Sequence, residues 1–149
     1  MTRLILLVED NSTDEKLTLR AFARSESPSE IVVVRDGVEA LDFLFARGAH
    51  AGRDPVRVPA LVLLDLKLPR IDGLEVLERM RSDERTRRIP VVVLTASAEE
   101  GDLLRAYSLG VNAYVQKPVD FALFIEAART ISTFWLQLNE VAPTPRGEA

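Results

Sequence analysis

Hydrophobic residues fall into short solid runs, separated by stretches in which they recur every three or four positions. The runs are Leu4–Val8, Ile31–Val34, Leu61–Leu64, Val91–Leu94 and a weaker Ala113–Val115. Three of them are continuously apolar rather than alternating, which predicts parallel strands covered by helices on both faces. Between them, helical spacing links Leu17 with Ala21, Leu41 with Leu44 and Phe45, Leu74 with Leu77 and Met80, and Leu103 and Leu104 with Tyr107. Ser12 with Glu15, Asp36 with Glu39, Asp72 with Glu75 and Ser97 with Glu100 match the spacing of a capping box. Gly48 and Gly110 stand where a helix commonly closes on glycine. A fifth helix is predicted to open at Asp120 and run through Phe124, Ile125, Ala128, Ile131 and Trp135. Five strands alternating with five helices, joined by right-handed crossovers, predict a doubly wound α/β sheet. The site of such a sheet lies beyond the carboxyl ends of its strands, at the switch point.

The chain has 149 residues, an ordinary length for one domain. Its 47% hydrophobic and 28% charged content exclude disorder over most of that length. The absence of cysteine removes disulfides, thiolate zinc sites and a cysteine nucleophile, and the lone His50 argues against a His-rich metal centre. No apolar run is long enough to span a bilayer, and Met1-Thr2-Arg3 lacks the layout of a signal peptide, so a cytoplasmic protein is expected. A net charge of −4 gives no reason to expect nucleic acid as a partner. Arg47–Pro59, rich in Arg, Gly and Pro, reads as an exposed excursion between the second helix and third strand. Residues 1–141 form the expected domain, and residues 142–149 read as a tail that frays into solvent.

The carboxyl ends of the predicted strands carry the chemistry. The first ends in Glu9-Asp10, the third in Asp65, the fourth in Thr95, and the fifth runs into Lys117-Pro118. Carboxylates suit a hard, oxygen-liganded ion such as Mg²⁺. An ammonium and a hydroxyl can hold phosphoryl oxygens, and a central aspartate can serve as a nucleophile toward phosphorus. Each residue alone has a blander explanation. A strand-end Asp is usually a turn or cap residue, an acidic pair complements a helix dipole, Thr is a good strand former and Lys-Pro makes a turn. Four such placements on one rim favour a site.

Leu4-Ile-Leu-Leu-Val-Glu-Asp-Asn11, Leu63-Leu-Asp-Leu-Lys-Leu-Pro-Arg-Ile-Asp-Gly73, Val92-Val-Leu-Thr-Ala96 and Gln116-Lys-Pro118 resemble the signatures of receiver domains of two-component response regulators. The spacings from Asp65 to Thr95 and on to Lys117 resemble that family too. The resemblance implies five parallel strands in the order 2-1-3-4-5, and an Asp65 that accepts a phosphoryl group from a histidine kinase. It also implies that Asp10, Asp65 and the Lys67 carbonyl bind Mg²⁺, with Glu9 acting through a water. Lys117 and the Ala96 backbone N–H would contact the phosphoryl group, and Thr95 and Tyr114 would form the switch.

The long segment between Asp10 and Asp65, with Asn112-Ala-Tyr114 and Phe134-Trp-Leu136, is similar to single-domain regulators paired with bacterial phytochrome kinases. Nothing after residue 140 is long enough for a DNA-binding output domain. Lys67 and Ser97, two residues after Asp65 and Thr95, would look onto the path of an attacking water and bear on phosphate lifetime, although Lys67 also reads as a solvated surface lysine. The fifth helix is apolar over a wider arc than one covered face needs. Tyr107, Phe134 and Trp135 are therefore expected on a homodimer face, with core packing of Trp135 as the alternative. A Mg²⁺-dependent phosphatase working through an aspartyl phosphate is the competing function. Such enzymes of the haloacid-dehalogenase type need an aspartate where this chain has Lys67. A flavodoxin-like electron carrier is a weaker alternative still, because Glu9-Asp10 would repel its phosphate.

Overall fold

The computed structural model describes residues 2–25 and 28–143. Strands β1 (Arg3–Val8), β2 (Ser29–Val34), β3 (Leu61–Leu64), β4 (Val91–Thr95) and β5 (Ala113–Gln116) form one parallel sheet in the order 2-1-3-4-5. Helices α1 (Ser12–Ala23), α2 (Gly37–Leu44), α3 (Gly73–Ser82), α4 (Glu100–Ser108) and α5 (Phe121–Thr133) connect and follow them.

The solid apolar runs follow from a sheet with two covered faces. Successive side chains point to opposite faces, so Leu4, Leu6 and Val8 pack with α2, α3 and α4, while Ile5 and Leu7 pack with α1 and α5. Val62 and Leu64 divide from Leu61 and Leu63 in the same way, as do Val91 and Val93 from Val92 and Leu94. In register, Val8 lies opposite both Val34 and Leu64, which brings the ends of β1, β2 and β3 to one level.

Three helix starts are as the sequence predicts. Asp36, Asp72 and Asp120 accept backbone N–H bonds from Glu39, Glu75 and Leu123. Two starts are not. Asn11, not Ser12, caps α1 by accepting from the Asp14 N–H at 2.9 Å, because the chain turns immediately after the Glu9-Asp10 corner. Helix α4 begins behind Glu99 with no side-chain cap, since the Ser97 hydroxyl is turned instead to Asp102.

The helix ends differ similarly. Gly110 closes α4 at φ 97°, with its N–H bonded to the Tyr107 carbonyl and that of Val111 to Ala106. Helix α2 makes the same closure two residues before Gly48, with Ala46 at φ 51° and N–H bonds from Ala46 to Phe43 and Arg47 to Asp42. Gly48 instead opens a short 3₁₀ turn. The excursion that follows is exposed over most of its length but anchored. Arg53 donates to the Phe43 and Leu44 carbonyls, and its guanidinium lies 4.3 Å from the centre of the Phe43 ring.

Helix α5 gives way at Phe134 to one π turn, Phe134–Leu138, whose Trp135 carbonyl accepts from Arg3 at 3.0 Å. Trp135 is half-buried against the cluster of Phe22, Phe124 and Ile131, so much of it is used within the chain. Phe134 remains 46% exposed. Of the expected tail, residues 144–149 lie outside the described residues.

Candidate functional site

The β-ladder carries the rim residues past the ends of the strands. The Glu9 N–H bonds to the Val34 carbonyl, that of Asp65 to Val8, and that of Lys117 to Thr95 at 2.7 Å. Two acidic residues and one lysine are thus fixed at their backbones by three different neighbouring strands. Gly73 allows the start of α3 to lie against this corner. A methyl group there would sit 2.3 Å from the Asp65 carbonyl oxygen, and the Gly73 N–H bonds the Leu66 carbonyl.

The Lys117 ammonium sits among three carboxylates, Asp14 at 2.7 Å, Asp65 at 2.8 Å and Glu9 at 2.9 Å. Its three donors match three acceptors. Burial works against that charge, yet the bonds to Asp14 and Asp65, with Glu9 close by, raise its pKa above the ordinary lysine value. Glu9 is 2% exposed, and burial pushes its carboxyl up to about 7 against the pull of Lys117. The other Asp65 oxygen, Oδ1, accepts from the Lys67 backbone N–H at 3.3 Å.

Asp10, exposed, completes an acidic group with Glu9 and Asp65 in which one oxygen of each lies within 4.8 Å of the others. Opposite oxygens of an octahedral Mg²⁺ lie about 4.2 Å apart, so these three are close enough to surround one ion, directly or through a bound water. The donors are all hard oxygens, and the acidic side chains at the corner outnumber their ammonium. The residues fit a divalent metal.

A second network flanks Asp65. The Lys67 Nζ lies 3.2 Å from Asp102 and 3.8 Å from Glu99. Asp102 also accepts from the Ser97 hydroxyl at 2.6 Å, and that bond, followed by Lys67, holds its carboxyl below the usual range. The Ser97 N–H points to the Thr95 Oγ1 at 3.3 Å, and the Ser97 carbonyl accepts from the Tyr114 hydroxyl at 3.1 Å. Thr95 is fully buried at the end of β4, and Ala96 follows it exposed in the bend.

Glu9, Asp10, Asp65 and Lys117 therefore meet as the sequence predicts, with Thr95 and Tyr114 joined through Ser97. Sequence reasoning missed Asp14 and Asp102. Each lies in the first turn of a helix, where an acid ordinarily complements the dipole. Tyr107 is 53% exposed on α4 and takes no part in the rim.

Residues 5–129 match the response regulator receiver domain, and the chain belongs to that family. It is 45% identical over 142 residues (95% of this chain and 88% of the relative) to a probable methanogenesis regulatory protein, FilR2, of Methanothrix harundinacea. It is 38% identical to the response regulator Rcp1 of Synechocystis, covering 91% of this chain and 90% of Rcp1. A Mn²⁺-bound crystal structure of Rcp1 superposes with a TM-score of 0.89 at 36% identity, over 94% of this chain and 99% of the other. The phosphorylated cyanobacterial phytochrome response regulator RcpA superposes with a TM-score of 0.89 at 41% identity, covering 95% and 99% of the two chains.

Proposed function

We propose that Asp65 is the phosphoryl acceptor of this receiver and that Mg²⁺ is the ion held beside it. The observation that carries the reading is the Asp65 carboxylate itself, 6% exposed, held by Lys117 on one oxygen and the Lys67 N–H on the other within the acidic corner. In the reaction, an Asp65 oxygen forms a bond to phosphorus as the phosphorus–nitrogen bond of a phosphohistidine breaks, and the electron pair returns to the imidazole. Lys117 follows the charge onto the phosphoryl oxygens, and the Ala96 N–H and Thr95 hydroxyl supply further donors. Asp10, Asp65 and the Lys67 carbonyl would hold the ion directly, with Glu9 through water. When bound, the ion neutralises charge developing on the phosphoryl group. A dianion on Asp65 draws Thr95 inward, and Tyr114 moves into the space it leaves.

The histidine kinase is inferred to be of the phytochrome class, supported by the likeness to RcpA. The reading is of a phosphoacceptor switch rather than an enzyme. A phosphatase of the haloacid-dehalogenase type would need an aspartate two residues after Asp65, where this chain has Lys67, paired with Asp102. Among the described residues no helix is long and apolar enough to cross a membrane, in keeping with a place in the cytoplasm. Incubation with a labelled phytochrome-class histidine kinase and Mg²⁺ should move the label onto the wild-type chain. Asp65→Asn should receive none, and stoichiometric labelling of that variant would contradict the assignment.

A homodimer is the second element of the proposal. Leu104 and Tyr107 on α4 and Phe121 and Leu123 on α5 are each more than half exposed, and soluble monomers seldom carry large apolar patches. Phe134 and the free part of Trp135 add to the exposed apolar surface, and a twofold contact would serve both subunits with one patch. Sedimentation should give a dimer at tens of micromolar and a monomer for the double variant Phe134→Ser, Trp135→Ser, with about −8 kcal/mol corresponding to micromolar affinity. A monomeric wild-type chain would remove the dimer alone.

A further inference from the structure

We infer that Asp102 is a positioning residue that holds the switch in its resting arrangement and is released when Asp65 gains a phosphoryl group. The inference rests on Asp65 being the acceptor. Asp102 sits in the first turn of α4, outside the acidic corner, and its carboxylate joins two loops. One oxygen, Oδ2, takes both the Ser97 hydroxyl at 2.6 Å and the Lys67 ammonium at 3.2 Å. Ser97 is 9% exposed and bonded on every side. Its hydroxyl also accepts from the Glu99 N–H, its N–H reaches Thr95, and its carbonyl holds the Tyr114 hydroxyl. Holding Ser97 thus holds both switch residues.

A phosphoryl group on Asp65 acts on this clasp from two sides. Lys67 follows Asp65 by two residues and its own N–H already contacts the carboxylate, so a new dianion competes with Asp102 for its ammonium. Thr95, drawn toward the phosphoryl oxygens, withdraws the acceptor that the Ser97 N–H uses. Asp102 then loses one partner to the phosphoryl group, and its other partner loses its anchor. The coupling would travel through this contiguous set of contacts, and the switch requires the set to have a second discrete arrangement. Because Lys67 is 61% exposed, its share of the clasp is smaller than that of the enclosed Ser97 bond.

The chain has two tyrosines, so fluorine NMR of protein carrying 3-fluorotyrosine reports Tyr114 directly, with Tyr107→Phe giving the assignment. Beryllofluoride with Mg²⁺ serves as the phosphoryl mimic. In Asp102→Ala without mimic, the Tyr114 signal should move toward its mimic-bound position, by about a tenfold rise in the switched-to-resting ratio. Ser97→Ala should move it in the same direction, Asp102→Asn less, and Lys67→Ala combined with Asp102→Ala no further than Asp102→Ala alone. Glu100→Ala, which removes an acid from the same helical turn without touching the clasp, should leave the signal in place. If Asp102→Ala does not fold, Ser97→Ala carries the test, because it removes the same bond from the other end. Signals of Asp102→Ala and Ser97→Ala that coincide with the resting wild type, while the wild type responds to the mimic, would overturn the role of Asp102. A wild-type signal that ignores the mimic would instead overturn the acceptor site on which the role rests.

Discussion

Two charged networks flank Asp65, and they differ in burial more than in composition. On the β1 side, Lys117 has a side chain 8% exposed and is surrounded by Glu9, Asp14 and Asp65. On the β4 side, Lys67 meets Asp102 and Glu99 with 61% of its side chain in solvent. Water screens the second and barely reaches the first, so removing a partner has unequal cost. A buried charge left alone keeps its desolvation penalty, whereas an exposed pair is worth little. The buried network fixes the Asp65 carboxylate, and the exposed one is soft enough to rearrange.

The largest test of that contrast is Lys117→Met. It strands Glu9 and Asp65 without their cation, and should lower stability by about 3 kcal/mol in chelator, measured by denaturant unfolding. Added Mg²⁺ should recover much of the loss, because the ion supplies positive charge to the same oxygens. An equal loss with and without Mg²⁺ would mean that the carboxylates are not electrostatically coupled at this corner.

The next effect is one of pH. Glu9 has a folded pKa of about 7, above its ordinary 4.5, so folding favours its protonated form. Its contribution to metal-free stability is fully present below about pH 4.5 and is lost as pH rises through about 7. The proposed Mg²⁺ would be met by the ionised Glu9 carboxylate, so the gain in melting temperature on adding Mg²⁺ should be larger at about pH 8 than at about pH 6. A gain independent of pH across that window would remove Glu9 from the metal's surroundings. Smallest is Lys67→Ala, for which the exposed pair predicts a stability change within about 1 kcal/mol, read from the same unfolding curves. A loss as large as that of Lys117→Met would erase the contrast.

The same contrast explains what sequence could and could not reveal. The sheet was legible because two covered faces force continuous apolar strands, and the caps at Asp36, Asp72 and Asp120 because their bonds are local. The rim followed from topology, since Glu9, Asp65, Thr95 and Lys117 each stand at or just beyond a strand end. Asp14 and Asp102 were not legible. Within their own helices they are ordinary first-turn acids, and only the crossing of chain segments brings Asp14 to Lys117, more than a hundred positions away. Ala46 was missed for a related reason, because the closure of α2 puts alanine in a left-handed conformation while a glycine stands two residues on. Trp135 fell between the two readings offered for it, packed on the core yet still half in reach of solvent.

The most direct test of the account is to find where the phosphoryl group goes. The protein is incubated with acetyl phosphate and Mg²⁺, then treated with borohydride, which reduces an aspartyl phosphate to a stable homoserine. Trypsin releases the peptide from Val58 to Lys67, in which Asp65 is the sole acidic side chain, so its mass assigns the site without ambiguity. The account predicts homoserine in that peptide from the wild-type protein, none when Mg²⁺ is replaced by chelator, and none in Asp65→Asn. An unmodified Val58–Lys67 peptide from a chain whose reduced residue maps elsewhere would contradict it.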